Sequence, residues 1–280
     1  MLVFTNPLEL QQHVQVLKKQ GTSIGFVPTM GYLHDGHISL IKAARQDNDF
    51  VILSIYVNPL QFAPTEDLAA YPRDFDRDSQ LAEEAGVDLI FYPSDQILYP
   101  EGYSTYVTEE EISARWCGAS RKTHFRGVTT IVLKLFNCTL PDRAYFGAKD
   151  IQQALIIRKM VSDLHIPTDI VTCPIVREDD GLAMSSRNVY LSTSERAEAL
   201  VLKKALDHAQ QEFSQGIKSS KILAETMTDI IKSAASARID YIACADGSTL
   251  EPKQELSAGD RILLAVFIGK TRLIDNCRLH

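Results

Sequence analysis

An α/β fold, a doubly wound parallel sheet over residues 1–176 followed by a smaller α+β unit over residues 177–280, is predicted by three features of the sequence. Through residue 176, short and nearly unbroken apolar runs alternate with segments of helical periodicity. Such alternation means parallel strands, covered on both faces and joined by right-handed helical crossovers. Near residue 190 the pattern changes to two long helical segments followed by three strand-like runs. The length of 280 residues suits one large or two ordinary domains, with a core that needs no disulfide.

Taken in order, helical residues follow Pro7 and stop at Gly21, and residues 23–29 ("SIGFVPT") form a strand. Ile38, Ile41 and Ala44 recur as on one face of a helix. Residues 50–59 are an apolar strand bounded by Pro59, residues 74–86 a helix ended by Gly86, and residues 88–94 a third strand. After a less regular stretch from 94 to 127, helix is expected over 128–139, a strand running into a loop over 142–150, helix over 151–164 and strand over 168–176. The second part reads as one helix over 192–213, another over 219–236, and strands at 238–246, 262–269 and 271–277.

The apolar fraction of 45 % and charged fraction of 23 % are those of a soluble globular chain. Twenty-nine basic against 36 acidic residues leave a net charge of −7. That balance disfavours bulk attraction to nucleic acid or anionic lipid, so an anionic ligand needs a local site. No leader-like start and no run of roughly 18 apolar residues is present, and a cytoplasmic protein without membrane partners is expected. Cysteines 117, 138, 173, 244 and 277 form no CxxC pair and read as small buried hydrophobes. The sequon at Asn137 falls within a helical run without secretory context and is set aside.

The usual nucleotide fingerprints fail. GxGxxG is absent, and "FIGKT" has Leu264 where a P-loop needs glycine. "PTMGYLHDGH" is more informative, because it stands where a strand hands over to a helix, whose first turn offers unpaired N–H groups and partial positive charge to a phosphate. His34 and His37, one turn apart, can add donors on the same side, although a zinc pair or ordinary surface histidines are alternatives. "YFGAKDIQQ" places Gly147, Lys149 and Asp150 at another strand end before Gln152 and Gln153, with a surface ion pair as the alternative. "VREDDGLAMSSRN" offers Gly181, two hydroxyls and Arg187 for polyphosphate, or a simple helix-start turn. "YVNPLQF" supplies Asn58 and Gln61, neutral amides suited to hydroxyl, carboxylate or ammonium groups, or to capping.

Together "PTMGYLHDGH", "VNPLQF", "YPRDFDRD", "RKTHFRGV", "FGAKDIQQ", "DGLAMSSRN" and "RLIDN" run through nearly the whole chain. This joint set resembles the pantothenate synthetase (pantoate:beta-alanine ligase) family of the HxGH nucleotidyl-transferase superfamily. The resemblance implies a Rossmann-like domain over 1–176 that binds ATP and pantoate, a smaller lid over 177–280, and a homodimer. It also implies that ATP, with Mg2+, converts pantoate to pantoyl adenylate, from which beta-alanine displaces AMP to give pantothenate. Small-molecule substrates are therefore the expected partners, with no nucleic acid.

By the same resemblance the ATP-binding residues are Met30, Gly31, Tyr32, Leu33, His34, Asp35, Gly36 and His37, then Gly147, Ala148, Lys149 and Asp150, then Val176, and finally Met184, Ser185, Ser186 and Arg187. His37, His34, Lys149 and Arg187 are the catalytic set, Gln61 and Gln153 bind pantoate, and Gln61 also lies near beta-alanine. Asn58 joins them in the substrate pocket, and no protein metal ligands are assigned. Ala148 departs from the family, which commonly has glutamate there. The rivals are a cytidylyl- or phosphopantetheine adenylyl-transferase, which needs more basic residues for its acceptor, and a nucleotide-binding regulatory subunit without turnover.

Overall fold

The computed structural model describes residues 1–64 and 66–280. Two compact units emerge: the first comprises residues 1–110, 121–148 and 156–174, the second residues 111–120, 149–155 and 175–280.

The first unit is built on β1 (Leu2–Phe4), α1 (Pro7–Lys19), β2 (Ile24–Thr29), α2 (Asp35–Asp47), β3 (Phe50–Ile55), α3 (Phe75–Glu84) and β4 (Leu89–Phe91). There follow α4 (Asp95–Leu98), α5 (Cys117–Ser120, in the second unit), α6 (His124–Thr139), β5 (Arg143–Gly147), α7 (Ile151–Asp163) and β6 (Asp169–Cys173). The six strands are parallel in the order β1-β4-β3-β2-β5-β6. The central strands are largely apolar and buried, as in β3, where five of six residues are buried. From β2 the chain moves outward through β3 and β4, then returns to place β5 on the other side of β2. That reversal makes the carboxyl ends of β2 and β5 the topological switch point, where open α/β sheets leave a crevice for ligands.

The second unit continues with α8 (Thr193–Glu198), α9 (Val201–Ser214), α10 (Ser220–Lys232), β7 (Ala237–Ala245), β8 (Arg261–Ile268) and β9 (Thr271–Arg278). Its three strands form an antiparallel meander. Leu202, Leu206, Met227 and Ile231 from α9 and α10 pack with Leu264 and Val266 of β8 in one buried cluster. The fold class read from the sequence is thus the one observed: a parallel α/β sheet with a smaller α+β unit.

Two local readings differ. β1 escapes the periodicity analysis because three residues carry no pattern; pairing with β4, in register Leu2 to Leu89, makes it a strand. The helix expected over 192–213 is two, α8 and α9. A tightened turn, with Leu200 N bonded to Ala197 O and Leu202 N to Ala199 O, separates them while Ala199 and Leu202 stay in the core. No described helix is long and apolar enough to cross a membrane.

Candidate active site

The segment after β2 is shaped by two consecutive left-handed residues, Gly31 (φ +81°) and Tyr32 (φ +51°). Glycine is required at 31 twice over, since a Cβ there would also lie 3.0 Å from both an Asp78 carboxylate oxygen and the Ile55 side chain. Asp78, only 1 % exposed, accepts hydrogen bonds from Tyr32 N at 2.6 Å and Leu33 N at 2.7 Å, one on each oxygen. Burial raises its carboxyl above the usual range, against the pull of these N–H groups and of Arg77. The neighbouring Arg77 donates to the Leu33 carbonyl at 2.9 Å and lies over the Tyr32 ring. A pair of adjacent α3 residues therefore clamps the loop, and Leu33, fully buried, anchors it in the core.

His34 is the N-cap of α2, and the two histidines form a capping box built from imidazoles. His34 Nδ1 accepts from Gly36 N at 3.1 Å, and His37 Nδ1 accepts from His34 N at 3.3 Å. A nitrogen that accepts a backbone N–H carries no proton, so in both neutral rings Nε2 bears the hydrogen. The rings lie 4.0 Å apart and tilted by 35°. The start of α2 thus combines two imidazole donors with the positive end of a 13-residue helix.

On the same sheet edge β5 ends at Gly147, above which a Cβ would meet nothing within 4 Å. Gln61 sits in the 3-10 turn Pro59–Gln61 after β3. Its backbone carbonyl accepts from Arg121 at 3.2 Å and contacts His124 Nδ1 at 2.9 Å, so "RKTHFRGV" holds this turn in place. Asn58 has no exposed surface, and its amide is bonded within the unit. A cavity of about 500 Å3 opens beside the loop, lined among others by Met30, Gly31, Tyr56, Asp78 and Tyr92; His34, His37, Asn58 and Gln61 are not part of its wall.

In the second unit Lys149 Nζ lies 3.8 Å from Asp150, a loose contact, with its side chain 19 % exposed. Its backbone carbonyl accepts from Asn276 of β9 at 3.1 Å. Gln152 and Gln153 part company at the start of α7. Gln152 is 4 % exposed, donates to the Ile112 and Arg115 carbonyls and accepts from Cys117 N. The Gln153 side chain has no hydrogen bond among the described residues, and the residue is half-buried.

The loop from Val176 to Arg187 is tied to β9 by a two-pronged ion pair from Arg177 to the buried Asp275 at 2.7 and 3.0 Å. Met184 N donates to the Val176 carbonyl, and Ser185 caps the 3-10 turn that carries Ser186 and Arg187. Asp275 and Asn276 belong to "RLIDN", and their anchoring parts were not assigned from sequence. Asp78 was missed as well: in "YPRDFDRD" nothing local separates it from Asp74 and Asp76, of which Asp74 is the cap of α3.

The sequence profile of the pantoate-beta-alanine ligase family matches residues 2–278. The chain belongs to that family. It is an ATP-dependent ligase that forms pantothenate from pantoate and beta-alanine. Among relatives of this ligase, the pantothenate synthetase of Sulfurihydrogenibium sp. is 50 % identical over 277 residues, covering 99 % of both chains. That of Caldicellulosiruptor bescii is 52 % identical over 276 residues, covering 99 % of this chain and 98 % of its own. The crystal structure of pantothenate synthetase from Thermus thermophilus is similar at a TM-score of 0.93, with 44 % identity and 99 % of each chain covered. A pantoate-beta-alanine ligase from Francisella tularensis, complexed with beta-gamma ATP and beta-alanine, reaches a TM-score of 0.80 at 37 % identity, covering 99 % of this chain and 97 % of its own.

Proposed function

We propose that the ligase works in two half-reactions on one ATP. In the first, pantoate's carboxylate attacks the α-phosphorus, pyrophosphate departs and pantoyl adenylate forms. In the second, the amine of beta-alanine attacks the activated acyl carbon and AMP leaves. The observation that carries this reading is the imidazole pair that caps α2, its two rings 4.0 Å apart at the positive end of the helix.

Each residue's part is the one that the family resemblance implies, and its chemistry suits that part. His34 and His37 stabilise charge as it builds on the α-phosphoryl group and on departing pyrophosphate. Lys149 and Arg187 add positive charge along the phosphates, with Gly147 to Asp150 as a nucleotide loop and Asp150 near the ribose. Val176 meets the adenine through its backbone, and Met184 to Arg187 close over the phosphates. Gln61 and Gln153 hold pantoate. No covalent nucleophile on the protein is needed, since beta-alanine meets an acyl phosphate already activated, and positioning carries much of that step. Residues 1–176 bind the nucleotide and the acid, and residues 177–280 act as a lid that keeps water from the adenylate.

Mg2+ bound together with ATP would neutralise charge on the phosphates. Among the described residues no group of three or more His, Cys, Asp or Glu is placed to hold a metal ion. The enzyme is read as a cytoplasmic homodimer, and light scattering tests the second point.

Pyrophosphate release that requires both ATP and pantoate, followed by AMP release that requires beta-alanine, is the expected pattern; ATP turnover indifferent to pantoate overturns the proposal. The adjacent glutamines give a sharper contrast. Gln153→Ala weakens pantoate binding with near-normal ATP binding by calorimetry, whereas Gln152→Ala lowers the unfolding free energy by about 1–3 kcal/mol through lost buried bonds. The reverse assignment refutes the pairing.

A further inference from the structure

Asn58 is a fully buried amide whose two ends are distinguished by backbone groups that can act in one sense only. Its Nδ2 lies 3.0 Å from the Gly127 carbonyl, an obligate acceptor, and its Oδ1 lies 3.3 Å from Leu60 N, an obligate donor. The Tyr99 hydroxyl adds a second donor to Oδ1, at 2.8 Å. Burial holds the Tyr99 phenol well above its ordinary range, so it keeps the proton it donates. Lys134 over its ring, 4.9 Å away, helps to hold that ring in place. The second Nδ2 hydrogen then goes to Gln61 Oε1 at 2.9 Å. The orientation of Asn58 thereby dictates that of Gln61, whose Nε2 has no hydrogen bond among the described residues.

We propose that Tyr99 and Asn58 lock the Gln61 amide with its N–H2 end toward the acid substrate. Tyr99 is thus a positioning residue for pantoate, acting through Asn58 and Gln61. This rests on the reading of Gln61 as a pantoate contact. The chemical consequence is selective: two N–H donors favour a carboxylate or hydroxyl oxygen, pantoate's or the carboxylate end of a nearby beta-alanine, over an ammonium group. Packing around the relay is tight, because a Cβ on Gly127 would run into the Leu60 carbonyl and come within 2.8 Å of Gln61 N.

The test is a double-mutant cycle on the full-length enzyme, with KM for pantoate and for ATP measured separately. Tyr99→Phe keeps the ring and removes the hydroxyl; it raises the pantoate KM about threefold to tenfold and leaves the ATP KM unchanged. In the Gln61→Ala background the same change has no further effect on pantoate, because the group it orients is gone. A Tyr99→Phe enzyme with unaltered pantoate KM, or an effect that persists in the Gln61→Ala background, overturns the relay. If Gln61→Ala itself leaves pantoate KM unchanged, the substrate reading of Gln61 fails instead. Should Tyr99→Phe not fold, Asn58→Asp serves in the same cycle: it retains the acceptor for Leu60 N, presents an oxygen to Gln61 and reverses that amide, raising the pantoate KM at least about tenfold.

Discussion

His37→Ala lowers kcat by about a hundredfold to a thousandfold while raising the ATP KM far less. That magnitude is typical for removing one preorganised donor aimed at developing charge. The reason for a kcat effect lies in the capping box. Because His34 N occupies His37 Nδ1, the ring cannot turn, and its Nε2–H is held in one direction before substrate arrives. A donor held in advance contributes most where charge grows between ground and transition state. The same substitution removes one cap bond from α2, a loss of about 1 kcal/mol, so thermal unfolding must be measured beside the kinetics. His37→Asn separates the two parts, since its side-chain oxygen can still accept from the backbone while the outward N–H is lost. If His37→Ala weakens ATP binding and leaves kcat alone, the imidazole serves ground-state binding only.

Asp78→Ala has the largest expected effect on stability, about 2–5 kcal/mol, read from urea unfolding. It strands the backbone N–H groups of Tyr32 and Leu33, and an unsatisfied buried donor costs about 1–3 kcal/mol. It also releases a loop held in left-handed backbone at Gly31 and Tyr32, conformations that persist only where the surroundings enforce them. ATP affinity should fall with stability, because the loop delivers His34 to its cap position. Asp78→Asn keeps the volume and one acceptor but turns an N–H2 toward a backbone N–H. It therefore loses ATP affinity with a smaller loss of stability. Full ATP affinity in the alanine variant would show that the loop holds its shape without the carboxylate.

Much of the architecture was legible because it is written locally. β2, β3 and β5 are runs of buried apolar residues, and α2, α7 and α10 carry their spacing and end signals within a dozen residues. β1 was illegible for the opposite reason, being three residues that become a strand through pairing with residues 89–91. In the site, the histidines, Lys149, Arg187 and the paired glutamines stood out by residue type and place. An imidazole as a helix cap did not, since serine, threonine, aspartate and asparagine are the customary caps, although the three-residue spacing of His34 and His37 matches a capping box.

The sequence by itself determined most of the strands and helices and the polar residues that the loops carry, since periodicity, caps and turns act over a few residues. Only the tertiary structure decided which amides are bonded within the protein. Gln152 is satisfied by Cys117, 35 residues away, Asn58 by Gly127, 69 residues away, and the loop before His34 is held by an aspartate 46 residues beyond Tyr32. A hydrogen bond depends on distance in space, and neighbours that far along the chain leave no local trace.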